Sequence, residues 1–127
     1  MPLHPAPVAV DALPPNNTTY SQAVRLGDLL FLSGQLGVDP TTRRLVEGGI
    51  EAQTKQAIEN IATVLSAAGS GLDRVAKVNI FIRDFSALPQ MNKVYAQYFP
   101  HRPAKTTVEI TGLDQGALIE IEVVAAA

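Results

Sequence analysis

The chain has 127 residues, no cysteine and a formal net charge of −2, so it fits one domain of ordinary size and excludes disulfide frameworks and thiolate chemistry. Two histidines are too few for a three-histidine zinc site, and the mildly acidic balance argues against nucleic-acid binding. Charged residues make up only 17%, where about 25% is typical, which indicates either an uncharged polar surface or a surface partly covered by other copies of the chain. Without an apolar run of roughly 20 residues or a secretory signal, a cytoplasmic protein outside the membrane is expected.

The N-terminal third predicts an arm followed by a β-hairpin. Residues 1–15 hold five of the nine prolines, which predicts an extended, Pro-rich arm ahead of a single domain over 16–127. The segments 18–25 and 29–33 are rich in apolar and β-branched residues and flank a Gly-Asp turn, a pattern typical of a hairpin. The glycine- and proline-containing stretch 34–49 that follows predicts a loop that could contain short extended pieces.

The middle of the chain predicts one helix and one strand. Apolar residues recur at steps of three and four through 50–68, which is the pattern of an amphipathic helix. Gly69 then stands where a helix commonly ends in left-handed backbone. In 74–83, apolar and polar residues alternate as they do in a half-buried strand.

The last third predicts a second helix over 88–99, ended by Pro100, and strands over 105–110 and 117–124. The resulting order, ββ-α-β-α-ββ, indicates an α+β domain whose mixed β-sheet carries both helices on one face. The other face then needs a cover, which a dimer or trimer would supply.

The last two strands carry the strongest chemical pattern. If they pair as a hairpin, Lys105 and Thr107 share a sheet face with Glu120 and Glu122. The lysine could fix a substrate carboxylate, and a glutamate could activate a water molecule. The same pattern is also typical of solvated sheet faces, where a cross-strand pair contributes only about 0.2–1 kcal/mol, so the residues alone leave both interpretations open.

Weaker candidates lie elsewhere in the chain. The Ser33 hydroxyl and the Gly34 amide follow a strand and could bind an anion, although a simple turn explains them equally well. Tyr20 could close a pocket or could be a half-buried strand residue, and Asn92 lies on the second predicted helix.

Several segments together resemble the RidA/YjgF family, whose members are also described as reactive intermediate deaminases or L-PSP endoribonucleases. The matching segments agree in order, spacing and length from about Tyr20 to the C-terminus. They read, in chain order, YSQAV, SGQ, QTKQA, AAG, VAKV, MNKVY, PAK, TVE and IEIE. The resemblance implies an α+β fold similar to chorismate mutase and a homotrimer with inter-subunit clefts. It also implies that neither a cofactor nor a metal is needed.

The resemblance also implies a reaction and a pocket. Deaminating members hydrolyse enamine or imine acids to a 2-keto acid and ammonia. Lys105 stands where the family carries a carboxylate-binding arginine in a Pro-Ala-Arg context, and Glu120 matches the glutamate that positions water. Thr107 replaces a frequent cysteine, and the remaining matches to pocket positions are Tyr20, Ser33, Gly34 and Asn92.

The leading hypothesis is therefore a RidA-like deaminase in which Glu120 and Thr107 are catalytic. Lys105 would alter the choice of substrate, because lysine offers a carboxylate a point charge, whereas arginine offers a planar group with two parallel donors. The alternative is a non-catalytic trimer of the same family that binds a small metabolite or regulates a partner. An endoribonuclease or translation inhibitor is disfavoured by the net charge of −2 and the scarcity of histidine.

Overall fold

The computed structural model describes residues 3–127, which form one mixed sheet and two helices, and this confirms the predicted α+β class. The first two residues of the predicted arm lie outside the described residues. In chain order the elements are β1 (Ala6–Val8), β2 (Ala23–Leu26), β3 (Leu29–Leu32), β4 (Gln35–Leu36), α1 (Gly49–Ala67), β5 (Val75–Ile82), α2 (Leu88–Tyr98), β6 (Ala104–Glu109) and β7 (Ile119–Ala126).

The sheet follows the order β1-β2-β3-β7-β5-β6, and β4 pairs with β7 beyond the end of β3. Only β5 and β6 run parallel, joined by α2 as a crossover, whereas the other pairs are antiparallel. The predicted hairpin of the last two strands is therefore wrong, because β5 lies between β6 and β7. Ile82 pairs with Glu109 on one side and with Ile119 on the other.

The core lies between the sheet and both helices. Along β7 the side chains alternate as the period of two predicts, and Ile119 and Ile121 are fully buried. On α1 the residues at helical spacing meet them, and Ile58 and Ile61 are fully buried. Helix α1 ends as predicted at left-handed Gly69, whose amide donates to the Ser66 carbonyl at 3.0 Å.

The Pro-rich segment contributes an edge strand. Pro7 pairs with Val24 in the β1–β2 ladder, and proline is tolerated there because an edge strand need not donate every backbone hydrogen bond. Val10, just beyond β1, is buried in the core. None of the helices in the described chain combines the length and the apolar character that a bilayer span requires.

The sheet face opposite the helices, called the open face below, is uncovered in a single chain. It presents Phe31 and Val108, each 41% exposed, together with Leu29 at 43%. Polar pairs lie beside them, and Asn79 Nδ2 donates to Glu122 Oε1 at 3.3 Å. The open face therefore carries both polar and apolar side chains, and it exposes more apolar area than is usual for a sheet face that contacts only water.

Candidate functional site

A cavity of about 380 Å³ lies beside the junction of β3, β4 and β7. Four of the predicted site residues line it, namely Tyr20, Ser33, Gly34 and Glu120, and these are called the Glu120 group below. Glu120 lies on β7 at the point where Leu36 of β4 is its partner, so the short strand β4 forms the wall beside the carboxylate. The volume lies within the range of small-molecule sites in proteins.

The carboxylate of Glu120 lies directly against Gly34. A Cβ atom added at position 34 would lie 2.7 Å from Glu120 Cδ and 3.0 Å from its Oε2. Any side chain there would displace the carboxyl group, so the close approach depends on glycine. Among residues 3–127, the Gly34 amide donates no backbone hydrogen bond, which leaves it able to bind a ligand oxygen.

Burial and neighbouring charges raise the pKa of the Glu120 carboxyl. Burial is the largest cause, and the negative charges of Glu122 and Asp114 add to it. A carboxyl group whose pKa is raised exchanges its proton closer to neutral pH than an ordinary glutamate does. That property suits a group that must both accept and return a proton.

Ser33 and Tyr20 frame the same cavity with engaged hydroxyl groups. Ser33 Oγ donates to the Ser21 carbonyl at 2.6 Å, so towards a ligand it can act only as an acceptor. Tyr20 Oη accepts from the Asn16 amide at 3.1 Å. Beneath them, Gln35 Nε2 donates to Gln22 Oε1 at 2.7 Å in a buried pair that holds β4 in place.

The other predicted site residues, Asn92, Lys105 and Thr107, form a second cluster, called the Lys105 group below. Lys105 Nζ donates to Asn92 Oδ1 at 3.2 Å and lies 4.5 Å from the ring centroid of Tyr95. The Tyr95 hydroxyl is buried without a partner among the described residues, and burial raises its pKa to about 12. Thr107 is half-buried on the same side of β6.

The two groups lie on opposite faces of the sheet, which corrects the predicted shared face. Lys105 and Thr107 are partners of Val78 and Ile80, whose side chains point into the helix-covered core. Glu120 is the partner of Phe81 on the open face. The period of two holds within each strand, but β5 lies between β6 and β7, so these two strands have no direct register with each other.

The structure adds two charged residues that the sequence reasoning missed. Asp114, in the turn before β7, lines the cavity and raises the pKa of Glu120. Arg43, in the loop between β4 and α1, also lines the cavity. The available signal is the Arg43-Arg44 pair, which stands in the stretch 34–49 that the sequence predicts as a loop. In the part of the chain that the structure describes, no three His, Asp or Glu side chains converge as a metal ion would require.

Comparison with known proteins places the chain in a family. The family description "Endoribonuclease L-PSP" matches residues 10–127. A RutC family protein of Pyrococcus horikoshii is 45% identical over 107 residues, covering 84% of this chain and 85% of its own length. The human 2-iminobutanoate/2-iminopropanoate deaminase is 38% identical over 107 residues, which cover 84% of this chain and 78% of the human protein. The crystal structure of E. coli TdcF with bound serine matches with a TM-score of 0.88 and 28% sequence identity. The match covers 96% of this chain and 98% of the TdcF chain. The chain therefore belongs to the L-PSP endoribonuclease family, also called RidA/YjgF.

Proposed function

We propose that the chain is an enamine or imine deaminase that hydrolyses a reactive 2-imino acid to a 2-keto acid and ammonia. The observation that carries the proposal is the Glu120 carboxyl, which is partly buried in a small-molecule cavity with a raised pKa and lies beside a free backbone amide. The human relative named as a 2-iminobutanoate/2-iminopropanoate deaminase supports this reaction class.

The complete site would form between copies of the chain. The Glu120 group and the Lys105 group cannot reach one ligand within a single subunit, because the sheet separates them. In a homotrimer whose copies meet at the open face and along the edge strand β6, the Lys105 group of one copy would meet the Glu120 group of the next. The exposed Phe31 and Val108 supply the apolar area for such an interface, and the low charged fraction of 17% agrees with it.

In the proposed reaction, Glu120 moves a proton from the attacking water to the nitrogen that leaves. Glu120, as a carboxylate, accepts a proton from water while the water oxygen bonds to the imine carbon and the C=N electrons move to nitrogen. The protonated Glu120 then gives that proton to the nitrogen, and the C–N bond breaks as the hydroxyl becomes a carbonyl. The hydroxyl proton joins the departing ammonia, so iminium and water give keto acid and ammonium.

Lys105 would hold the carboxylate of the substrate. Its ammonium group, oriented by Asn92 and by the Tyr95 ring, offers a point charge to an acid. Thr107 on the same strand would contribute its hydroxyl, and the Gly34 amide of the neighbouring copy would contribute a second donor. TdcF, which crystallised with serine, is a structural relative that accommodates a small amino acid, a molecule with the same carboxylate and nitrogen as a 2-imino acid.

The decisive test measures ammonia release from freshly generated 2-iminopropanoate. We expect Glu120→Gln to lower kcat by about 10²- to 10⁴-fold, because it removes the proton acceptor while preserving shape. Glu51→Gln, which changes an exposed carboxylate on α1, should leave the rate unchanged. Equal rates for Glu120→Gln and the unaltered chain would refute the mechanism. If propanoate raises the Tm but no imine is turned over, the metabolite-binding alternative replaces the enzyme.

The histidines weigh against the ribonuclease reaction suggested by the family description. His101 Nε2 lies 2.9 Å from the Val75 carbonyl, so that ring nitrogen is engaged within the fold. The other histidine, His4, precedes β1 and is exposed. Neither lines the Glu120 cavity, so a paired acid and base of that type is not available there.

A further inference from the structure

Arg43 brings a positive charge to the wall of the Glu120 cavity. Among the described residues that line the cavity it is the one cation, and the other charged groups are Glu120 and Asp114. An anionic ligand group near two carboxylates would be repelled unless a cation offset them. Arg43 is therefore the residue of this subunit that could receive a negative group of the ligand.

The loop that carries Arg43 is held by its own hydrogen bonds. The Arg43 amide donates to the Asp39 carbonyl at 2.8 Å, and the Asp39 amide donates to the Arg44 carbonyl at 2.9 Å. A β-bridge between Val38 and Leu45 closes the base of this turn. Arg43 itself has a φ of 64°, a left-handed conformation that side-chain-bearing residues adopt only when the surrounding turn imposes it.

The guanidinium of Arg43 is not used by the fold. Within residues 3–127, no ion pair and no side-chain hydrogen bond involves it. The nearby Asp39 carboxylate is occupied, because its Oδ1 accepts from the Thr41 amide at 2.7 Å. The charges that shift the pKa of Glu120 are those of Glu122 and Asp114, and Arg43 is not among them. Its donors therefore remain available to a ligand.

We propose that Arg43 binds a second carboxylate of the substrate, so that dicarboxylic 2-imino or enamine acids are the preferred substrate class. The inference rests on the proposed function, in which Lys105 of a neighbouring copy holds the first carboxylate. The planar guanidinium group can donate two parallel hydrogen bonds to the two oxygens of one carboxylate. A cavity of about 380 Å³ leaves room for an acid longer than a three-carbon imine.

The test compares two imines generated in place by amino acid oxidation, 2-iminosuccinate from aspartate and 2-iminopropanoate from alanine. Arg43→Gly removes the guanidinium and suits the left-handed backbone, so the variant should fold. We expect it to lower kcat/KM about 10- to 100-fold for 2-iminosuccinate and less than about twofold for 2-iminopropanoate. Arg44→Ala, which changes the adjacent cation outside the cavity lining, should affect neither substrate.

A binding measurement separates this inference from the proposed function. Calorimetry with succinate and with propanoate needs no turnover, and succinate should bind the unaltered chain more tightly, an advantage that Arg43→Gly abolishes and Arg43→Lys partly keeps. If neither imine is hydrolysed but the succinate advantage depends on Arg43, the deaminase proposal fails and the anion site stands. Equal losses for both imines, or no preference for succinate, would overturn the role of Arg43.

Discussion

The Glu120 carboxylate and the Gly34 backbone touch so closely that a single methyl group at position 34 would lie 2.7 Å from Glu120 Cδ. The carboxyl group therefore packs against the backbone at the β3–β4 junction, where both residues line the cavity. A side chain at position 34 would take the space that the carboxyl group now occupies.

Gly34→Ala should displace Glu120 and lower kcat for imine hydrolysis by at least about tenfold, because small misplacements of a reacting group are expensive. Gly112→Ala is the matched control, since a Cβ there meets no atom within 4 Å and its backbone is not left-handed. Ammonia release from 2-iminopropanoate measures both variants. If Gly34→Ala keeps the full rate, the contact does not position the catalytic group.

The raised pKa of Glu120 makes its contribution to stability depend on pH. Because the folded state holds this proton more tightly than the unfolded state, the contribution of Glu120 to stability is largest at low pH and is lost as pH rises through the raised pKa. Glu120→Gln cannot ionise, so its Tm should exceed that of the unaltered chain near pH 7, and the difference should vanish at acidic pH. Thermal scans from pH 4 to pH 8 measure it. A difference of constant size across that range contradicts the assignment.

Lys105 should determine affinity for the substrate carboxylate. Lys105→Met keeps the aliphatic stem but removes the charge, and we expect it to raise KM for 2-iminopropanoate by about tenfold or more. Lys105→Arg restores a planar fork and should lower KM below that of the unaltered chain. Lys93→Met serves as the control, because the Lys93 side chain is 72% exposed and lies 3.7 Å from Glu51. A KM unchanged in Lys105→Met would remove Lys105 from the site.

The open face should hold the oligomer together. Phe31→Glu places a charge in the middle of this face, next to Val24 and Val124, and burying an unpaired charge is strongly unfavourable. We expect this variant to elute as a monomer in size-exclusion chromatography with light scattering, while Lys55→Glu on the outside of α1 stays trimeric. Because the proposed site takes residues from two copies, the Phe31→Glu monomer should also lose hydrolysis. A trimeric Phe31→Glu would show that the copies meet elsewhere.

Gln53 ties helix α1 to the strand that carries Glu120. Its buried Oε1 accepts from the Leu118 amide at 2.9 Å. Gln53→Ala leaves that amide without an acceptor, so we expect a loss of about 1–3 kcal/mol in the free energy of unfolding. Gln97→Ala on the exposed side of α2 should change it by less than about 0.5 kcal/mol. Chemical denaturation measures both, and equal stabilities would mean that water replaces the lost acceptor.

Local patterns predicted the elements well because each pattern depends on neighbours in the chain. The helix predicted over 50–68 spans Gly49–Ala67, and the strand predicted over 74–83 spans Val75–Ile82. Strand β4, with only two residues, is too short to show a period of two, so the sequence predicts there only a loop that could contain short extended pieces. The order of the strands failed for another reason, since pairing between distant segments leaves no local periodic signal.

For the candidate site, too, the residue types were predictable from the sequence and their spatial arrangement was not. The resemblance named Glu120 and Lys105, yet no pattern in the sequence could say that one subunit holds them on opposite faces of its sheet. Arg43 was not singled out, because its approach to the cavity depends on a left-handed turn whose hydrogen bonds exist only in the folded loop. Residue types were therefore predictable, but their meeting points required the three-dimensional arrangement.

The central position of β7 has a kinetic consequence. This strand is the last element in the chain, yet it lies between β3 and β5. Leu29 of β3 pairs with Ala126 of β7, although most of the sequence lies between them. The entropy of closing so long a loop must be overcome before that pairing gives any stability, so the domain should fold slowly for its size. Until β7 docks, β1-β2-β3 and β5-β6 remain separate, β4 has no partner strand, and the wall of the Glu120 cavity does not exist. Acquisition of activity during refolding should therefore follow the slowest phase.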